Sequence, residues 1–370
     1  MRTTSAPTSM QDLRQHNYHT VLLAIEEASC GISRTQLSQK TSLSPASITL
    51  ICEDLLQKGI VTEVESAFAL TGRKPKLLKI APSGGMAAAL IIDSTHKASL
   101  AFSNMDYQLL FRKQISFSSE EDLIRQAVTS LSRQEGPLMG LGIAISQEYS
   151  WEENCSRAVH GIDPDKMAEA FRKALPLTVE WIDHDRMCLE SYLHFFQKIP
   201  CENPVYLQFD DSISAAALSG AGGDLGHITF GYDGDKSCYC GKTGCARRYC
   251  SPGILVGYLR KADSDPHLSD KIDSYADALL ALCDSAARIY GSDCLVFGGE
   301  MTYFSELLNP ILARKMAESD NPLLHRLILE ITDQQDILEL KGTLRLAVRS
   351  ILRRYHWETA RTSGSKEASL

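Results

Sequence analysis

A short run of cysteines constrains this chain more than any other feature. Cys238, Cys240 and Cys245 fall within eight residues, and a Gly226-His227 pair precedes them, with ten residues between His227 and Cys238. Three thiolates and one imidazole complete the tetrahedral ligand set of a zinc ion. Glycines that permit tight turns are frequent in this loop: Gly231, Gly234, Gly241 and Gly244. The pattern predicts a zinc site that is structural, because four protein ligands leave no coordination position for a substrate.

The chain has eleven cysteines, an odd number that does not suit a secreted disulfide framework. Unbonded thiols are the competing interpretation of the run, and three cysteines with paired glycines in so short a stretch disfavour it. Cys250 is expected to be a spare thiol rather than a ligand. The remaining cysteines are scattered and are expected to fill small apolar spaces: Cys30, Cys52, Cys155, Cys188, Cys201, Cys283 and Cys294. With a polar N-terminus and no apolar run of membrane-spanning length, a cytoplasmic and nucleoid-associated protein is expected.

The first 80 residues have the pattern of a winged helix-turn-helix. Residues 1–16 are Ser/Thr-rich and are predicted to be a disordered tail. Helical spacing of apolar residues begins after Asn17, Ser33 is suited to cap a short second helix, and Ser44-Pro45 is suited to begin a third. Alternating residues then predict two strands joined by a basic loop over 71–76. The range 17–80 is therefore predicted to be a DNA-binding domain.

A set of eight residues is predicted to contact double-stranded DNA: Ser33, Arg34, Ser44, Ala46, Ser47, Thr49, Arg73 and Lys74. Small side chains at the start of the third helix suit base edges, whereas the basic loop suits phosphates or a minor groove. The net charge of −8 argues against nucleic acid, but the first 80 residues carry nine basic and seven acidic residues. A three-helix module for protein–protein contacts is the alternative.

From residue 86 onward, strand-like and helix-like segments alternate, which predicts an α/β body. A length of 370 residues suits two or three domains. One lobe is expected over 86–200, completed by a C-terminal helix over 342–358, and a second lobe with the zinc loop over 201–341. Asp183-His184-Asp185 follows a predicted strand, where a carboxylate could act as a general base, although capping a helix is the commoner role.

Four stretches resemble the ROK family (repressors, open reading frames and sugar kinases), in particular its repressor branch for sugar uptake and amino-sugar metabolism. The resemblance runs from about Asn17 to Arg353. Its motifs are Ser33-Arg34 with Leu37 and 43–49, Gly72-Arg73-Lys74-Pro75 with Leu77-Leu78, Gly226-His227 with 238–245, and Val296-Phe297-Gly298-Gly299. The resemblance implies a two-lobed actin-like or hexokinase-like body behind the winged helix. It also implies a homodimer or homotetramer that presents two DNA-binding heads, and no membrane partner.

Two loops depart from the pattern of the family's kinases. The early Asp-x-Gly-x-Thr loop appears here as Asp93-Ser94-Thr95-His96-Lys97, and the Gly-Thr-Gly-x-Gly turn appears as Asp210-Asp211-Ser212-Ile213-Ser214. Glycines let backbone amides approach a phosphate, whereas aspartates repel one. We therefore expect no ATP binding and no enzymatic activity.

The resemblance implies four effector-binding residues: Asp183, Asp224, His227 and Arg247. The family's Asn-Asp pair appears as Ile182-Asp183, and its two glutamates near the zinc motif become Asp224 and Arg247. An arginine suits an acidic or phosphorylated sugar. The alternatives are a body that binds no ligand and responds to a protein partner, and a neutral sugar. For the whole chain, an active sugar kinase with a DNA-binding head and a protein-binding scaffold are the competing functions.

Overall fold

The structure is a computed structural model that describes residues 9–65, 76–93, 97–150, 155–210, 212–230 and 236–356. Within these ranges no helix combines the length and the apolar character needed to cross a membrane.

Three helices and a strand pair form the N-terminal part. Their bounds are α1 Met10–Glu26, α2 Arg34–Thr41, α3 Pro45–Gln57, β1 Val61–Glu65 and β2 Lys76–Ile80. The two strands are antiparallel, with Val61 opposite Ile80. Large side chains from all three helices are fully buried between them: Tyr18, Leu22, Leu37, Ile48 and Leu55. The order of elements is the one that the sequence predicts, while Phe68–Leu70, Arg73 and Lys74 lie outside the described residues.

The first helix begins at Met10, within the segment that was predicted to be a disordered tail, so that prediction is wrong for residues 10–16. Ser9 caps the helix, because its side chain accepts a hydrogen bond from the Asp12 backbone N–H at 3.0 Å. Asp12 also interacts favourably with the positive helix end. Apolar periodicity missed this turn because its residues are mostly polar.

The caps of α2 and α3 are those that the sequence predicts. Ser33 and Gln36 form a reciprocal capping box, with Ser33 N–H donating to Gln36 Oε1 at 3.0 Å. Ser44 accepts from the Ser47 backbone N–H at 3.1 Å, and Pro45 occupies the first helical position. Ser42, at φ +59°, makes the sharp turn that separates the two helices.

The body alternates strands and helices in the way that an α/β protein requires. Its strands are β3 Met86–Ile92, β4 Lys97–Asn104, β5 Leu109–Ser116, β6 Leu138–Ile145, β7 Gln147–Ser150, β8 Cys155–Ala158, β9 Thr178–Asp183, β10 Pro204–Phe209, β11 Ile213–Ala217, β12 Gly222–Asp224, β13 Cys294–Gly299 and β14 Ile328–Ile331. Its helices are α4 Glu120–Ser132, α5 Pro164–Ala174, α6 His184–Ser191, α7 Arg247–Cys250, α8 Pro252–Leu259, α9 Leu268–Tyr290, α10 Ser305–Glu318 and α11 Gln335–Arg353.

Two five-stranded sheets share one topology. Their strand orders are β5-β4-β3-β6-β9 and β12-β11-β10-β13-β14, so each sheet has the order third, second, first, fourth, fifth. In each, the first three strands form an antiparallel meander, and in the second sheet β10, β13 and β14 run parallel. The repeated order supports the expectation of a body built from two similar halves.

The chain divides into two compact units whose limits differ from the predicted lobes. The first unit runs through Ile143 and also holds Asp163–Trp181 and the residues from Thr343 onward, whereas the second holds Ala144–Ile162 and Ile182–Gly342. The N-terminal helices group with the first unit instead of standing apart. A single cut at residue 200 is impossible because β6 and β9 each begin in one unit and end in the other. The last helix also begins earlier than predicted, at Gln335 rather than residue 342.

Candidate functional site

The structure brings the four predicted zinc ligands together. One donor atom from each of His227, Cys238, Cys240 and Cys245 lies within 4.8 Å of the others. The Cys240 and Cys245 Sγ atoms are 3.5 Å apart, and Cys238 Sγ lies 3.6 Å from His227 Nδ1. Ligand atoms around a tetrahedral zinc ion are separated by about 3.5–3.8 Å, given the usual Zn–S and Zn–N lengths. Both the donor set and its spacing therefore fit zinc.

Backbone turns shape the cysteine loop around this cluster. Gly241 and Gly244 have φ values of +81° and +77°, a region that residues with a Cβ rarely adopt. Cys238 N–H donates to the Lys242 carbonyl at 2.8 Å and closes the turn between the cysteines. A substitution at either glycine would strain the loop. The spare thiol Cys250 is buried and is not part of the cluster, as predicted.

His227 joins the cysteine cluster to an acidic residue. Its Nδ1 faces Cys238, whereas its Nε2 lies 3.1 Å from the Tyr239 hydroxyl and 3.6 Å from Asp224 Oδ2. A carboxylate beside the far nitrogen is the usual arrangement for a metal-bound histidine. Burial lowers the pKa of His227, which favours the neutral imidazole that a metal needs. Nδ1 would bind the ion, and the ring would link it to Asp224.

A cavity of about 300 Å³ lies beside Asp224 in the second unit. Its wall combines polar side chains with small residues from β11, β12 and the turn between them. The lining residues are Gln147, Asp183, Asp185, Arg186, Ser212, Ser214, Ala215, Ala216, Ala217, Gly220, Ala221, Gly222, Gly223 and Asp224. Two of the four predicted effector residues, Asp183 and Asp224, line this cavity. His227 is connected to it through Asp224.

Arg247 does not line the cavity. Its guanidinium lies over the Tyr239 ring, 4.3 Å from the ring centre, and its backbone N–H donates to the Gly226 carbonyl at 2.8 Å. Burial raises the pKa of Asp224, and the charge of Arg247 opposes part of that rise. The inference of an acidic effector from Arg247 therefore loses its geometric basis. The cation in the cavity wall is Arg186, which the sequence analysis did not select.

Asp183 caps a helix. This is the commoner of the two roles that the sequence predicts for the acid. Its carboxylate accepts a hydrogen bond from the Arg186 backbone N–H at 3.0 Å at the start of α6. Burial, followed by the charge of Asp185, raises the Asp183 pKa to about 6. Asp185 also lines the cavity, where it contacts the Ser214 hydroxyl and lies 3.1 Å from His184 Nδ1. Local sequence marked this acidic pair, but its members differ in their partners, which are the Arg186 backbone for Asp183 and the Ser214 and His184 side chains for Asp185.

Replacing Asp183 with Asn should change how stability depends on pH. The Asp183 pKa of about 6 lies above the ordinary 3.8, so the folded chain binds more protons than the unfolded chain between about pH 4 and 6. The contribution of Asp183 therefore falls as pH rises through that range. Asn keeps the capping oxygen without the charge, so Asp183→Asn should raise stability above pH 6 by up to about 2–3 kcal/mol. Thermal unfolding from pH 4 to 8 measures this difference.

Asp163→Asn is the matched control, because Asp163 also caps a helix. Lys166 lowers the Asp163 pKa, so the effect of this substitution on stability above pH 6 should have the opposite sign. A wild-type pH profile for Asp183→Asn would contradict the raised pKa.

The predicted DNA-contacting residues of α2 and α3 lie on the two helix starts, with several of their polar groups already paired. The Ser33 hydroxyl donates to Gln36 Oε1 at 2.9 Å, and the Ser44 and Ser47 hydroxyls are 2.9 Å apart. Thr49 Oγ1 donates to the Pro45 carbonyl at 2.9 Å. Ala46 is exposed. Ser33 and Ser44 therefore cap their helices, as the sequence predicts, and contact of these hydroxyls with DNA stays a prediction.

Arg34 forms an ion pair with Glu63, with Nη2 and Oε1 3.0 Å apart, and its side chain is about one-third exposed. It joins α2 to the strand pair. Leu50, which the apolar periodicity did not single out, is 69% exposed on α3. Its position four residues after Ala46 was the available signal, since residues at that spacing share a helix face.

Comparison with known proteins agrees with the fold and with the cysteine motif. The model of the ROK family matches residues 213–322. A xylose repressor of Caldicellulosiruptor bescii is 22% identical over 274 residues, which cover 67% of this chain and 67% of the repressor. The crystal structure of a ROK family transcriptional regulator, a homolog of the E. coli MLC protein, is 19% identical with a TM-score of 0.70, and the match covers 92% of this chain and 98% of that one.

A ROK hexokinase from Thermus thermophilus is 16% identical with a TM-score of 0.54, over 71% of this chain and 97% of the hexokinase. This likeness and that to the regulator establish an α/β, actin-like and hexokinase-like fold for the body. Residues 213–322 of this chain match the ROK family, in agreement with the motifs at 226–245 and 296–299, and the solved structures above share its fold.

Proposed function

We propose that this chain is a sequence-specific DNA-binding transcription regulator that represses genes of carbohydrate uptake or metabolism. The observation that carries the proposal is the N-terminal arrangement of α1 to α3 with β1 and β2, in which α3 follows a tight turn and presents an exposed face. A relative named a xylose repressor and the fold of a ROK transcriptional regulator support it. The N-terminal part would be the winged helix-turn-helix, and Arg73 and Lys74 its phosphate contacts.

In this proposal the chain acts as a homodimer or homotetramer in the cytoplasm and binds operator DNA through two N-terminal DNA-binding domains. Zinc would stabilise the second unit through His227 and the three cysteines. Binding of an effector in the cavity would shift the population between a state that binds the operator and one that does not.

The proposed effector is a neutral sugar. Among the described residues that line the cavity, three have carboxylates, Asp183, Asp185 and Asp224, and one, Arg186, has a guanidinium. Carboxylates accept hydrogen bonds from sugar hydroxyls and repel acidic or phosphorylated sugars. The sequence, through Arg247, favoured an acidic or phosphorylated sugar over a neutral one, and the cavity wall reverses that preference. Control by a protein partner is the remaining alternative.

The chain is proposed not to be an enzyme. Asp210 Oδ1 accepts a hydrogen bond from the Glu300 backbone N–H at 3.1 Å, immediately after the Gly298-Gly299 turn, and Oδ2 accepts from Gln208 Nε2 at 2.7 Å. A partly buried carboxylate therefore occupies a backbone amide at this glycine turn, where it would also repel a phosphate. The hexokinase of similar fold makes a kinase the second candidate. ATP turnover dependent on any sugar would favour it.

Selection of duplexes from a random pool by the full chain tests the proposal. We expect an enriched duplex that binds at least about a thousandfold more tightly than random DNA. Ala46→Glu should weaken this binding at least about tenfold, because the new charge faces the phosphates. The substitution should not unfold α3, since an acidic residue in the first turn favours a helix. Ala281→Glu, on an exposed position of α9, is the control and should bind normally.

The same bound duplex, titrated with neutral, acidic and phosphorylated sugars, identifies the effector class. A neutral sugar should change the affinity for DNA, and Asp224→Asn should reduce that response without changing affinity in its absence. Failure to enrich any duplex would contradict DNA binding itself, whereas an enriched duplex that no sugar affects would favour a protein partner.

A further inference from the structure

The first two turns of α3 expose apolar groups, and the exposed acid Glu53 follows them on the same face. We propose that Leu50, with the methyl groups of Ala46 and Thr49, reads thymine methyl groups in the major groove. This inference rests on the proposed DNA-binding function and names the base feature that the helix recognises.

The hydroxyl groups at the start of α3 are engaged within the protein. Ser44 Oγ accepts from Ser47 N–H at 3.1 Å and lies 2.9 Å from Ser47 Oγ. Thr49 Oγ1 donates to the Pro45 carbonyl at 2.9 Å. These hydrogen bonds stabilise the start of the helix. They use the hydroxyl of Thr49 but not its methyl group. Hydrogen bonding to bases is therefore a secondary role for these three side chains.

Leu50 is the large side chain of this face. Its exposed fraction is 69%, whereas Ile48, Ile51, Cys52 and Leu55 form the buried face of the same helix. Ala46 precedes it by four residues and is also exposed, so the two lie on one face. An exposed leucine remains hydrated in the free protein, and contact with an apolar partner would remove that area from water.

The chemistry of this face selects one base feature. Pro45–Cys52, the first two turns of α3, contain no Arg, Lys, Asn or Gln, the side chains that form paired hydrogen bonds with guanine or adenine. The apolar group that a major groove offers at base edges is the thymine 5-methyl. A methyl-bearing face at the start of a recognition helix therefore fits thymine better than any other base.

Replacement of single thymidines by deoxyuridine tests the inference directly, because it removes only the methyl group. The probe is the duplex that the full chain enriches from a random pool. At each position that α3 reads, affinity should fall about fourfold per methyl, and about fifteenfold when both half-sites are changed. Leu50→Ala should weaken binding to the thymidine duplex and bring the thymidine-to-deoxyuridine affinity ratio close to one at its position.

Thr49 provides a second, paired measurement. Thr49→Ser keeps the hydroxyl that bonds to Pro45 but removes the methyl, so it should lower the thymidine preference. Thr49→Val keeps a methyl and removes the hydroxyl, so it should retain the preference. Ile289→Ala is the surface control, since Ile289 is 61% exposed on α9 and should leave both affinity and preference unchanged.

The outcomes separate this inference from the function on which it rests. Tight binding to the enriched duplex with a thymidine-to-deoxyuridine ratio near one at every position would overturn the inference and leave DNA binding intact. A ratio that Leu50→Ala does not change, together with a change in the oligomeric state of that variant, would overturn it in favour of contact with a second copy. If no duplex is enriched, both the inference and the proposed function are wrong.

Discussion

Cys240→Ser should reduce the zinc content of the purified chain from one ion per chain to almost none. The Cys240 thiol is one of four donors, and its Sγ lies 3.5 Å from that of Cys245. A hydroxyl is a poor zinc ligand, and the three remaining donors would hold the ion weakly. Structural zinc contributes about 10–16 kcal/mol of apparent binding energy in small domains, which couples directly to folding. Because the second unit has a large core of its own, part of this energy should appear as lost stability.

The expected result is a melting temperature at least about 10 °C below that of the wild type, with a loss comparable to that of wild-type protein stripped by a chelator. Metal analysis by mass spectrometry and thermal unfolding measure the two effects. Cys250→Ala is the matched control: it removes a neighbouring thiol that is outside the cluster, and it should keep the zinc. A Cys240→Ser chain with a full zinc ion and unchanged stability would show that the ligand set is wrong.

Glu26→Gln should destabilise the first unit by about 3–5 kcal/mol, because it breaks a buried group of charges from one side. The Glu26 carboxylate is almost fully buried and accepts hydrogen bonds from three residues of the body. Arg345 Nε lies at 2.7 Å, Arg349 Nη1 at 2.9 Å and the Tyr107 hydroxyl at 2.8 Å. These contacts hold the end of α1 against α11 and the turn between β4 and β5. Gln would leave Arg345 without its carboxylate partner and Arg349 with only the more exposed Glu27.

Thermal unfolding followed by circular dichroism should show a decrease in melting temperature of roughly 10 °C. Glu27→Gln is the neighbouring control, since Glu27 is 39% exposed and pairs with Lys40 at 2.9 Å and Arg349 at 3.4 Å. An exposed pair contributes about 0–1 kcal/mol, so this variant should unfold almost as the wild type does. Equal losses from the two substitutions would contradict the role of burial.

Replacement of Glu26, Arg345 and Arg349 together by apolar residues would test whether charge pairing or burial contributes more to the stability of the first unit. Glu26→Leu with Arg345→Met and Arg349→Leu removes these three charges, so no buried charge of the group is left unpaired, although the Tyr107 hydroxyl loses its Glu26 acceptor. The triple variant should recover most of the stability that Glu26→Gln loses, because buried ion pairs contribute little beyond an apolar contact of similar volume.

The sequence by itself determined the features that depend on short separations. The spacing of His227 and the three cysteines placed four ligands within one loop, and the structure brings these same four together. Ser33 and Ser44 marked the starts of α2 and α3 because capping involves residues three positions apart. The ROK motifs are also local, and the family match covers two of them, those at 226–245 and 296–299.

Tertiary structure alone decided the features that depend on burial and on distant partners. Glu26 ends a helix and looks like a surface acid, but its arginine partners lie more than 300 positions away. Asp183 and Asp185 differ in role because their surroundings differ, and Arg247 stacks on Tyr239 instead of lining the cavity. The limits of the two units were hidden for the same reason, since the chain leaves each unit and returns to it. Local patterns report backbone geometry and ligand spacing, whereas buried ion pairs, pKa shifts caused by burial and cavity walls arise only when remote segments exclude water together.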